Sequence, residues 1–199
     1  MKEIEHCSPN FKNFFKWTQE YLEEHGKEMI LADAPQVKYS IGDTYCAGWC
    51  DGETIAAATQ HHLFEETYAH EFSHMQQAVE GDPCWAADDN GFFEKLDANL
   101  IDVGDWSKVM EVLDLERNCE ARTLVHSEKW GLFDAKQYAR LANVYLVFYQ
   151  YTFLKRKWIP STTIYKPSIV NAMPDELIPL DNFKVIDMDM MMLYERELN

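Results

Sequence analysis

The chain is short of basic residues. Over 199 residues it carries 18 Lys and Arg against 34 Asp and Glu, a formal net charge of −16 at pH 7. Nucleic-acid binding draws its affinity from basic patches, so no nucleic-acid partner is expected. The same shortage argues against an anionic membrane surface. Long apolar runs are missing as well. The most apolar stretch, VYLVFYQYTFL at 144–154, is too short to span a bilayer, so no membrane association is expected. The N-terminal stretch MKEIEHCSPNFKNFFKW lacks the apolar core of a secretory leader. Five cysteines (Cys7, Cys46, Cys50, Cys84 and Cys119) make an odd number without framework spacing. Without a leader, they read as free thiols in a reducing cytoplasm. Repeats and low-complexity segments are also lacking, so no linker is expected.

What is present is an ordinary globular composition, 47% apolar and 26% charged. It predicts one domain over 1–199, with a core at about 36–158 and an irregular C-terminal extension at 159–199. The spacing of Phe11, Phe14, Phe15, Trp17 and Leu22 predicts an amphipathic helix ending near Gly26. Short segments with Gly-Asp and Asp-Gly punctuation at 36–60 predict two or three antiparallel strands. Three helices should follow. The first covers 63–80 and stops at EGDP, and the second runs from Trp106 to Trp130 before Gly131. The third starts after Asp134 and ends at about Trp158, before Pro160. Residues 84–104 read as a loop with a short helix, and a last short helix is expected around MMLYEREL. The fold class is α+β, mostly helical, with a small antiparallel sheet before the helix at 63–80.

That helix contains TYAHEFSHMQQ, residues 67–77, and within it His70-Glu71-Phe72-Ser73-His74, an HExxH pattern. Residues four apart share a helix face, so His70 and His74 can present two imidazole nitrogens to one ion. Tyr68, Phe72, Met75 and Val79 form a separate apolar stripe. Zinc in such a site keeps an open position and lowers the pKa of its water toward ~7, and Glu71 can act as general base. A catalytic zinc wants a third protein ligand. The HExxHxxGxxH form fails, because Gln77 and Glu80 stand where Gly and His would be. An upstream thiolate, Cys46 or Cys50, is one alternative. A downstream glutamate is the other.

In LDLERNCEART the glutamates Glu116 and Glu120 fall on the stripe set by Val109, Leu113 and Leu124. Carboxylates interrupting a buried stripe are costly unless paired or metal-bound. The spacing suggests a division of labour, with Glu116 as the metal ligand and Glu120 as the acceptor that fixes a ligand histidine's tautomer, in preference to the reverse assignment. The competing reading pairs both with Arg117 and Arg122 on a solvated face.

HExxH with a glutamate on a following helix resembles the gluzincins, the thermolysin-like zinc metallopeptidases, whose third-ligand helix reads Glu-x-x-small-acid. Glu116-Arg-Asn-Cys119-Glu120 fits that form. HEFSHMQQ, LERNCEART, LANVYLVFYQYTFLKRKW and MPDEL are also similar to a group of uncharacterised bacteriophage and bacterial proteins described as metallopeptidases. The resemblance implies a zinc-dependent peptidase with one zinc per chain, a peptide or protein substrate, and a substrate strand pairing with an edge strand. ETIAAAT at 53–59 is in place for that edge. From His74 to Glu116 the gap is longer than in thermolysin, so residues 81–105 should pack over or beside the cleft.

Zincins use a Tyr, His or Arg donor for the developing oxyanion. Among Tyr138, Tyr145, Tyr149 and Tyr151, the leading candidates are Tyr145 and Tyr149, with Arg122 and His126 as others. Cys119 reads as a small packing residue, and His61 and His62 as exposed or cleft-rim residues. Two alternatives to a peptidase remain: a catalytically inactive zinc-binding scaffold acting through a protein partner, and a zinc amidase that is not a peptidase. An intact Glu71 argues against the first.

Overall fold

A computed structural model of the chain describes residues 4–39, 45–87, 106–156 and 164–198. Helix predominates and a small sheet accompanies it, so the fold class is α+β. The chain divides into two compact units, Met1–Trp85 with Arg122–Asp134, and Ala86–Ala121 with Ala135–Asn199.

In the first unit, helix α1 (Pro9–Glu24) begins where Ser8 Oγ accepts the Phe11 N–H at 3.1 Å and Pro9 occupies the first turn. It ends at His25, and Gly26 takes up φ +65° just beyond. Phe11, Phe14, Phe15 and Leu22 recur at helical spacing and are buried. Each such side chain contributes roughly 1.5–3 kcal/mol.

The strands are β1 (Glu28–Ala32), β2 (Val37–Lys38), β3 (Tyr45–Cys46), β4 (Gly48–Cys50) and β5 (Thr54–Ala58). The main sheet has the order β1-β5-β4, and β2 pairs separately with β3. Two expectations are corrected here. The sheet is mixed rather than antiparallel: β1 pairs parallel with β5, Glu28 opposite Thr54 and Ala32 opposite Ala58, while β4 is antiparallel to β5. And β5, expected as the edge, is the central strand. Its Ile55-Ala56-Ala57-Ala58 run is fully buried, as a strand with partners on both sides should be. The antiparallel edge is β4.

Helix α2 (Phe64–Glu80) packs on β5 and β4. It ends at Gly81, φ +63°, whose N–H bonds Ala78 O while Asp82 N–H reaches Gln77 O. Gly48 decides how closely β4 approaches. A Cβ there would lie 2.8 Å from Thr67 Cγ2 and 3.0 Å from both Ala56 O and Glu71 Cγ.

Helix α3 (Trp106–Trp130) is one continuous helix that ends before Gly131, φ +64°; its residues from Arg122 onward belong to the first unit. In the second unit it is joined by α4 (Ala135–Lys155), α5 (Pro167–Ala172) and α6 (Met188–Leu198). Helix α4 stops at Lys155, three residues short of the expected Trp158, because Arg156 turns to φ 54°. Over its described residues, 164–198, the C-terminal extension is not irregular. It places Ile169, Met173, Phe183, Met191 and Tyr194 in one core with Val144, Leu146, Phe148 and Tyr151 of α4. Buried polar side chains of α4 fasten it. Asn143 Nδ2 donates to Pro174 O and Glu176 O and its Oδ1 accepts Ile178 N–H; Gln150 Nε2 donates to Phe183 O. Tyr194 donates in turn to Val144 O at 2.7 Å. Among the described residues, no helix is long and apolar enough to cross a membrane. Residues 88–105, where the sequence suggests a loop with a short helix, lie outside the described residues.

Candidate metal centre

Helix α2 separates its two faces as its pattern predicts. Phe72 packs against Phe14, Trp17 and Tyr21, with ring centroids 5.3–5.7 Å apart. His70 and His74 lie together on another face, with ring centroids 4.7 Å apart and planes at 87°. His74 Nδ1 lies 2.8 Å from Gln77 Oε1, and both residues are buried. With the Gln77 oxygen accepting, Nδ1 carries the proton and Nε2 is left as the nitrogen with a lone pair. His74 also faces Trp85, 6.0 Å away, on the 3-10 turn Pro83–Ala87. Glu71 is buried beside the backbone of β4, where Gly48 leaves room for it.

Helix α3 supplies another ligand-type side chain. Thr123 Oγ1 donates to Ser73 Oγ at 2.9 Å, between the two histidines in sequence, and Cys119 stands one turn earlier on the same helix. The ligand atoms of His70, His74 and Cys119 all lie within 4.8 Å of one another, and the group could hold a metal ion. Two imidazoles and a thiol suit a four-coordinate zinc-type ion with one position open. Among the described residues, no other group of three His, Cys, Asp or Glu side chains has this closeness.

The two glutamates of α3 face tyrosines of α4. The buried Tyr149 hydroxyl hydrogen-bonds Glu116 and Tyr145, and burial, then the Glu116 charge, holds its pKa well above the ordinary tyrosine value. Tyr149 is therefore a protonated donor. Tyr145 is partly buried and its ring lies 5.0 Å from that of Tyr149. Tyr138 donates to Glu120 Oε2 at 2.5 Å, with both residues buried. The arginines have other employment. Arg117 Nε donates to Ile178 O, and Arg122 bonds Glu80 at 2.6 Å and Asp82 at 2.8 Å.

Arg122, one of the expected oxyanion donors, is thus ion-paired at the C-terminal end of α2. The other, His126, is buried. Its ring packs among Phe14, Trp17 and Phe72 on the aromatic face of α2, and Nε2 meets Gln76 Oε1 at 2.6 Å. Burial, then the nearby Lys129 and Arg122 charges, push its pKa down to about 4.

The upstream thiols do not converge. Cys46 is on β3 and Cys50 on β4, in different sheets. The Cys46 thiol donates to Val37 O, and burial and then the Glu71 charge push its pKa up to about 11. Cys50 Sγ accepts the Gly52 N–H. All five cysteines are free thiols. His61 is half-buried, His62 is exposed, and their rings are 4.5 Å apart.

Sequence reasoning passed over Gln77 and took Cys119 for packing. The signal for Gln77 was its place one turn after His74; for Cys119, it was a thiol three residues from a candidate ligand on the same helix. Compared with known proteins, the chain matches no protein-family model, no curated protein and no solved structure.

Proposed function

We propose that the chain is a zinc-dependent hydrolase that cleaves peptide bonds. The observation that carries this reading is the gathering of His70, His74 and Cys119 with a buried Glu71 next to the histidines in sequence. His70 and His74 would hold the ion, with α3 giving the third ligand: Cys119, whose sulfur is in the group, or Glu116, which the gluzincin resemblance implies. A zinc ion there would supply Lewis acidity toward a carbonyl oxygen and acidify a water. The protein's own residues do the rest. Gln77 holds the His74 tautomer through Nδ1. Glu71 takes the proton from the attacking water and gives it to the leaving amine. Tyr149, kept protonated by its burial beside Glu116, and Tyr145 are the hydroxyl donors for the developing oxyanion. Edge strand β4, which runs beside Glu71, is the strand for an extended substrate to pair with.

A second reading, an amidase acting on a small amide, is favoured by the thiol in the group, since a Cys-His-His donor set departs from the gluzincin pattern. The test is metal content by mass spectrometry, together with the spectrum of the cobalt-substituted protein, for wild type, Cys119→Ser and Glu116→Gln. About one zinc per chain is expected. Loss of the ion and of a near-ultraviolet thiolate-to-cobalt band in Cys119→Ser assigns the sulfur; loss in Glu116→Gln assigns the carboxylate. A wild-type protein that takes up no zinc refutes the hydrolase reading.

A further inference from the structure

We propose that the cavity at the first turn of helix α2 receives the cationic end of an arginine or lysine side chain of the substrate. This names a substrate class for the proposed peptidase and rests on that reading.

The cavity has a volume of about 280 Å³, and its walls include His61, His62, Phe64, Glu65, Glu66 and Phe133. It is near the lower end of the range for small-molecule sites, a size for the end of one side chain rather than for a cofactor. Its two carboxylates differ. Glu65 is committed to the chain itself, accepting Ser8 N–H at 2.7 Å and the Ser8 hydroxyl at 2.9 Å. Glu66 has no Lys or Arg partner among the described residues. It is half-buried, and that burial, only partly offset by its own backbone N–H, raises its pKa. A carboxylate partly removed from water, with only the neighbouring His62 imidazole to lower its pKa by charge, is one that a guanidinium or ammonium group would satisfy with charge-assisted hydrogen bonds.

The remaining walls suit the same guest. Imidazole and phenyl rings line the cavity, and such rings attract a cation at their π faces; Leu63 N–H, donating to His61 Nδ1 at 3.3 Å, holds one of them. An anion would meet two carboxylates against the roughly half charge of one helix N-terminus. The net charge of −16 draws cations toward the molecule in general. The place is also informative. Glu66 is one turn before His70 on the same helix, so a side chain held there keeps its peptide within a residue or two of the candidate metal ligands.

The experiment uses the full chain and reads the imidazole NMR signals of His61 and His62 during titration with Nα-acetyl-arginine amide, the uncharged Nα-acetyl-norleucine amide, and spermidine. Saturable shifts with the arginine compound alone, weakened at least tenfold in Glu66→Gln, are expected. Equal response to norleucine, no response, or undiminished binding in Glu66→Gln overturns the proposal. Tighter binding of spermidine than of the arginine amide assigns the cavity to a free amine and overturns its role with peptides. The zinc-loaded protein is then assayed on peptide pairs differing only in Arg against norleucine. The proposal expects at least a tenfold higher kcat/KM for the Arg peptides, with that ratio collapsing in Glu66→Gln. Glu66-dependent arginine binding without hydrolysis of any peptide refutes the peptidase reading and with it the substrate role. Hydrolysis without a preference for basic residues refutes the cavity's role alone.

Discussion

His126 should make the protein lose stability in mild acid. Its pKa is pushed down to about 4 from an ordinary 6.5 because burial takes the charged ring out of water and Lys129 and Arg122 add like charge nearby. In the window between those values, the unfolded chain binds a proton that the folded chain refuses. Stability is therefore complete above about pH 6.5 and falls as the pH drops toward 4. A difference of this size corresponds to about 2 kcal/mol lost by pH 5, and allowance for solvent screening brings the expected loss to about 1 kcal/mol. Glu80, facing the same site, offsets a part of it. Replacing His126 by glutamine keeps a partner for Gln76 and removes the titrating ring. Urea denaturation of wild type and His126→Gln at pH 7.5 and pH 5 separates this effect from the carboxylates, which titrate in both proteins. The expected result is a smaller loss at pH 5 in the variant by about 1 kcal/mol. An identical loss in the two proteins refutes the reasoning, since the ring would then bind its proton as readily folded as unfolded.

Gly48→Ala should destabilise the protein by about 1–3 kcal/mol, because the added methyl meets Ala56 O and the Glu71 side chain at 3.0 Å and Thr67 at 2.8 Å. A thermal melt within about 1 °C of wild type would show that β4 can move away from α2 at little cost. Gln77→Leu removes the acceptor at His74 Nδ1 and should lower zinc affinity by roughly 10- to 100-fold in a competition titration with a chelator; unchanged affinity would show that Gln77 does not set the tautomer.

Much of the helical framework can be read from local signals. Ser8 with Pro9, and Gly26, Gly81 and Gly131 at left-handed φ, bound α1, α2 and the end of α3 near the expected residues, because caps and breakers act within one turn. The HExxH face was legible for the same reason: helical periodicity alone brings His70 and His74 together and keeps them off the Phe72 stripe. The sheet was less legible. Glu28–Ala32 carries no alternation, and its parallel pairing with Thr54–Ala58 joins segments between which β2, β3 and β4 lie in the chain.

The sequence by itself therefore determined helices α1 to α4 to within a few residues, the shared helix face of His70 and His74, and the acidic balance of the whole chain. Only the tertiary structure decided that β5 is central, that residues 164–198 complete a core with α4, that Gln77 serves His74 and that Cys119 joins the histidines. It also decided that Arg122 and His126, one turn apart on one helix, meet an ion pair and an aromatic cluster respectively. The physical reason is range. Periodicity and capping are settled by neighbours three or four residues apart. Partners for a strand edge, a buried amide or a thiol are chosen by whichever distant segment removes most apolar surface from water while leaving no buried polar group unpaired.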